Sequence, residues 1–78
     1  MPTVLRLGGL RFYFYSIDLV EPPHIHVDQG EKTAKFWLTP IEIEWSEGFN
    51  RTELNRIRMM VEQHQEDLLR SWHEFGTR

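Results

Sequence analysis

The sequence predicts an α+β fold: a small antiparallel sheet of two hairpins plus a short strand, packed on one long C-terminal helix. Three observations carry this. Two pairs of alternating segments, each closed by a glycine-containing turn, run through residues 3–38. Within each pair the apolar residues fall on one face. Residues 50–75 then place an apolar stripe at helical spacing behind an N-cap signal. The chain has 78 residues, which allows a single domain over 1–78, with a sheet part at 1–45 and a helix at 50–75.

The first hairpin joins Thr3–Leu7 to Leu10–Ser16 through Gly8-Gly9. Both turn positions accept positive φ, as a two-residue hairpin loop requires. The implied register pairs Leu7 with Leu10, Arg6 with Arg11, Leu5 with Phe12 and Val4 with Tyr13. One face then carries Leu5, Leu7, Leu10, Phe12 and Phe14, the other Val4, Arg6, Arg11, Tyr13 and Tyr15. Residues 17–23 (IDLVEPP) form a loop, since Pro22-Pro23 cannot donate ladder hydrogen bonds.

The second hairpin runs His24–Asp28 and Thr33–Leu38, closing around Gly30-Glu31. Ile25, Val27, Ala34, Phe36 and Leu38 take one face, and His24, His26, Asp28, Lys35 and Trp37 the other. After Pro40, Ile41-Glu42-Ile43-Glu44-Trp45 alternates as a last short strand, with Glu42 and Glu44 protecting an edge.

Asn50 and Glu53 have capping-box spacing, and Phe49 and Leu54 that of a hydrophobic staple. The stripe Leu54, Ile57, Val61, His64, Leu68, Trp72, Phe75 defines the buried side of the helix, Met59-Met60 fill its border, and Gly76 ends it. His64 reads as a core-edge histidine satisfied by a backbone or tyrosine partner, and His73 as exposed.

Composition narrows the function classes. Three Trp, five Phe and two Tyr give a short chain enough apolar bulk to fold. The absence of cysteine excludes disulfides, thiolate metal sites and a cysteine nucleophile. No stretch reaches membrane-spanning length and the N-terminal stretch lacks a signal-type apolar core, so a cytoplasmic protein with no membrane partner is expected. The net charge of −3 does not suit a general polyanion binder. The acidity is local: residues 1–40 hold four basic and four acidic groups, residues 41–78 five and eight. No P-loop, GxGxxG, HExxH or GxSxG motif is present.

The chemistry concentrates on the sheet face away from the helix, which is expected to be uncovered and to display Arg6, Arg11, Tyr13, Tyr15, His24, His26, Asp28, Lys35 and Trp37. Aromatic residues suit strands anywhere, but mixed aromatic and basic residues are also what binding surfaces use. His24-Ile25-His26-Val27-Asp28 puts two imidazoles and a carboxylate on that face at about 6.6 Å intervals. Three readings stay open. Two His and a carboxylate are a known metal-ligand set, although ligands from one strand splay apart. Two imidazoles also suit acid–base catalysis across a phosphodiester without a metal or other cofactor, with Arg6, Arg11 or Lys35 stabilising the charge. The third reading gives them only hydrogen-bonding duties at an interface.

The runs Met1-Pro2-Thr3-Val4-Leu5-Arg6, Gly9-Leu10-Arg11-Phe12-Tyr13-Phe14-Tyr15-Ser16, Glu21-Pro22-Pro23-His24-Ile25-His26-Val27, Ala34-Lys35-Phe36-Trp37-Leu38 and Trp72-His73-Glu74-Phe75 resemble the bacterial family of domain of unknown function 4160. The Glu-Pro-Pro-His-Ile-His-Val run is the most specific part. The resemblance implies a small cytoplasmic bacterial protein, often encoded beside a protein of domain of unknown function 2442. That arrangement looks like a type II toxin–antitoxin pair with this chain in the toxin position. The family landmarks it implies are Arg11, His24, His26, Trp37 and Trp72.

The expectation is therefore a toxin-like component with a cognate antitoxin-like partner. In the enzyme version it is a metal-independent ribonuclease: His24 and His26 are the catalytic pair, Arg11 and Lys35 contact phosphate, and Tyr13, Tyr15 and Trp37 stack on bases. In the alternative it is a non-catalytic protein-binding module whose exposed sheet face docks a partner. Three large aromatics on one face also suggest a homodimer as a way of covering it.

Overall fold

The computed structural model describes residues 3–15 and 20–76. Five antiparallel strands form one meander, β1 (Thr3–Leu7), β2 (Leu10–Tyr13), β3 (His24–Gln29), β4 (Lys32–Leu38) and β5 (Ile41–Glu47), in the order β1-β2-β3-β4-β5. Two helices follow, α1 (Arg51–Gln63) and α2 (Gln65–Gly76). Residues 17–19 of the expected loop, and Ser16 at the expected end of the second strand, lie outside the described residues.

Local turn chemistry sets the two predicted hairpins. Gly8 and Gly9 have φ of 51° and 80°, and Leu7 pairs with Leu10 across them. Gly30 has φ of 61°, and Gln29 pairs with Lys32. The β3–β4 register is the one the alternation implies, from His24 opposite Trp37 to Val27 opposite Ala34. β5 follows a Thr39–Pro40 turn with a cis peptide bond, and with seven residues it matches β4 in length rather than being short.

Two irregularities depart from the even alternation. In β1 the register shifts between Thr3 and Leu5, so Tyr13 pairs with Thr3, not with Val4. Val4 then packs with Leu5 and Leu7 against the core. In β5, Phe36 pairs with Ile43 but its neighbour Lys35 pairs with Trp45. The extra residue is a β-bulge, which moves every later side chain to the other face. Trp45 therefore leaves the face of Ile41 and Ile43.

The single long helix of the sequence reading is two helices. A straight helix over residues 50–75 would be about 39 Å long, more than the 35 Å longest extent of the molecule. The chain breaks at His64, with φ −109° and ψ 13°. Gln65 just beyond donates from Nε2 to the Leu38 carbonyl at 2.7 Å, pinning the break to the end of β4. The i to i−4 bonds persist on both sides, His64 to Met60 and Leu68 to His64, so the apolar stripe keeps its phase. Ile57, Val61, Leu68 and Trp72 are buried with Phe12, Phe14, Ile25, Val27, Ala34, Phe36 and Leu38 in one core. Met60 packs at its border, but Met59 is exposed rather than core filler. His64 is half-buried.

α1 begins with the expected capping box: Asn50 Oδ1 accepts from the Glu53 N–H and Glu53 accepts from the Asn50 N–H. Lys32 Nζ lies 2.7 Å from Glu53 Oε2 and ties the second hairpin to this first turn. The Lys32 bond, followed by the Asn50 N–H, holds the Glu53 carboxyl below its ordinary value. Asn50→Ala should cost about 1 kcal/mol in urea unfolding, with no change of fold.

Candidate functional site

Sheet register builds the site. Tyr13 sits opposite His26 on β2 and β3, His26 opposite Lys35, and Lys35 opposite Trp45. His24 sits opposite Trp37. Directly paired residues share a face, so these six side chains converge on the side of the sheet away from the Ile25, Val27 and Phe36 core.

His26 is the hub. Its ring stacks on Tyr13 at 5.3 Å between centroids and meets Tyr15 edge to face at 5.3 Å. It meets His24 edge to face at 5.2 Å and lies 6.3 Å from Trp45. His24 in turn packs on Trp37 at 5.5 Å and on Trp72 of α2 at 4.9 Å. Trp72 also packs on Phe14 at 5.2 Å. Trp72 thus belongs to the core and to the imidazole cluster together, since α2 after its break brings the indole to the end of the sheet.

The face was expected to be uncovered. It keeps its predicted membership, but its centre is covered by its own rings: His24 is 0 % exposed, His26 8 % and Tyr13 5 %. Only the flanks reach solvent, with Tyr15 at 42 % and Trp45 at 41 %. Lys35, Trp37 and Arg11 are half-buried.

Most polar groups on this face are held. His24 Nδ1 lies 3.0 Å from the Pro22 carbonyl oxygen. A carbonyl only accepts, so Nδ1 carries the proton. The Glu21 carboxylate lies 3.6 Å from the same nitrogen and 2.8 Å from Lys35 Nζ. The Glu-Pro-Pro-His run is therefore a clamp in which Glu21 and Pro22 fix His24 from behind. Lys35 also sits 4.6 Å over the Trp37 ring, and Arg11 4.4 Å over the Tyr13 ring, while Arg11 Nε donates to Thr3 Oγ1. Trp37 Nε1 donates to Glu44 at 2.7 Å.

Asp28, the third member of the predicted His/His/Asp row, serves other groups. It accepts from Tyr13 Oη at 2.9 Å and from Thr33 Oγ1 at 2.6 Å. Among the described residues no three His, Asp or Glu side chains converge as a metal-ligand set.

Burial, then bonds to Tyr15 and Asp28, push the Tyr13 hydroxyl well above the ordinary tyrosine value of 10.0. The folded protein thus keeps a proton that the unfolded chain releases above about pH 10. Stability should fall as pH rises beyond that point. In a 295 nm titration Tyr13 should ionise only together with alkaline unfolding, and Tyr13→Phe should remove that coupling.

Sequence reasoning placed Arg11, Tyr13, Tyr15, His24, His26, Lys35 and Trp37 on one face, and the structure brings all seven there. It missed Trp45, because the bulge that delivers it carries no glycine or other punctuation, and it read Glu44, which alternation already put on this side, only as edge protection. It also missed the contact of Trp72 with His24. Trp72 among the landmarks of the family resemblance was the one available signal for it.

No curated protein and no solved structure matches the chain. The family model described as Domain of unknown function (DUF4160) matches residues 9–73. That span runs from the first turn to the last helix and contains every residue of the aromatic–imidazole face, so the chain belongs to the DUF4160 family.

Proposed function

We propose that this chain is the toxin-like component of a cytoplasmic type II toxin–antitoxin module, and that it acts as a non-catalytic docking module. The docking surface is the sheet face built around His26, with Tyr15 and Trp45 as its anchors and Trp37 and Lys35 at its side. One observation carries this: two large aromatics stand exposed at the rim of a rigid, interlocked ring cluster. Rigid aromatic anchors concentrate binding energy because little side-chain entropy is lost on contact. The placement of the module rests on the family and on the gene arrangement its resemblance implies.

The state of the histidine pair favours docking over catalysis. In-line phosphoryl transfer puts base and acid on opposite sides of the phosphorus. The two imidazoles touch each other, and His24 is wholly covered. Their contacts describe a structural core for the surface.

The ribonuclease reading keeps one supporting observation. His26 keeps 8 % of its surface exposed and lies beside the half-exposed Tyr15 and Trp45, where a base could stack and a proton be moved. The two readings separate on RNA cleavage in the presence of a chelator. The docking reading predicts that the purified chain leaves RNA intact. A metal-independent cleavage that falls by about a hundredfold in a still-folded His26→Gln variant would replace docking by catalysis.

A further inference from the structure

On the opposite side of the sheet, α1 leaves part of β5 uncovered, and a pocket of about 280 Å³ opens between them. Phe36, Ile43 and Leu54 form its apolar part, and Arg51, Asn55 and Arg58 its polar rim. Helical geometry explains the rim: positions 51, 55 and 58 are spaced i, i+4 and i+7, so they share one face of α1 over about 10 Å. The bulge in β5 contributes the rest, because Ile43 stays opposite Phe36 on the helix side while Trp45 turns away. Ile43 remains 45 % exposed there. Arg58 donates from Nη2 to the Ile41 carbonyl at 3.2 Å, which holds its guanidinium at the pocket mouth.

The charge is what identifies an occupant. Residues 41–78 carry an excess of acidic groups, yet among the described residues no carboxylate lines this pocket and two guanidiniums do. An apolar floor under a paired cationic rim matches a ligand with an apolar body and one anionic head. The volume is close to the lower end of the roughly 300–1,000 Å³ of small-molecule sites.

We propose that this pocket binds a small amphipathic carboxylate, with its chain against Phe36, Ile43 and Leu54 and its head between Arg51 and Arg58. The site is independent of the docking face, which lies across the sheet. Titration of the labelled chain with octanoate, octylammonium and acetate, followed by amide and methyl NMR shifts, tests it. Octanoate should give saturable shifts confined to residues 36, 43, 51–58 and their neighbours. Octylammonium and acetate should not saturate in the same range. Arg51→Gln combined with Arg58→Gln should weaken octanoate about tenfold while the spectrum stays folded. Equal binding of octanoate and octylammonium, or octanoate shifts spread over the molecule, would overturn the assignment.

Discussion

Replacing Trp72 by alanine should cost about 3–5 kcal/mol, the loss typical of a large aromatic removed from a packed core. A domain of this length has roughly 4–12 kcal/mol in total, so the variant should be largely unfolded or have a sharply lowered urea midpoint. The reason is specific. Trp72 is 6 % exposed and lies between Phe14 on one side and His24 on the other. Its loss opens a cavity that reaches both the core and the imidazole cluster. Trp72→Phe should recover most of the stability, because an aromatic ring still fills the gap. A Trp72→Ala variant with a near wild-type midpoint would show that α2 does not hold the cluster.

Truncating the rim should have the opposite profile. Trp45→Ala and Tyr15→Ala remove half-exposed rings, so stability should change by about 1 kcal/mol or less for Trp45 and by about 1–2 kcal/mol for Tyr15, which also bonds to the Tyr13 hydroxyl. Partner affinity should fall by about 30-fold or more for the stronger of the two, the size of a hot-spot loss. Met59→Ala, exposed on α1, should leave affinity unchanged. Trp37→Glu is a poor probe of the interface. Trp37 Nε1 donates to Glu44, and its ring packs on His24, so a new carboxylate there would meet Glu44 and strain the fold itself. Unchanged affinity in both alanine variants would move the interface off this face.

The hairpins and their faces were legible because alternation and turn glycines act within a few residues. Leu7 to Leu10 and His24 to Trp37 needed nothing but phase. The capping box at Asn50 is equally local. What could not be read depends on distant packing. The bulge at β5 has no local signature, so Trp45 was expected on the wrong face. The break at His64 follows from the size of the sheet and the Gln65 bond to Leu38, not from any helix-stopping residue. Burial of His24 arises because a ring 48 positions later in the chain closes over it. Most residues of the site were thus readable, while Trp45, the Trp72 contact and the burial of the histidine pair were not.

The most direct test of docking through this face uses the chain's three indoles. A partner of the domain of unknown function 2442 type, taken from the same genome, is titrated into the labelled chain and the indole N–H signals are followed. The docking account predicts saturable shifts for Trp45 and Trp37, with Trp72 nearly unmoved and Tyr15 protected from exchange with solvent-borne probes. Saturable binding that leaves Trp37 and Trp45 in place and instead moves the α1 and α2 amides would contradict it.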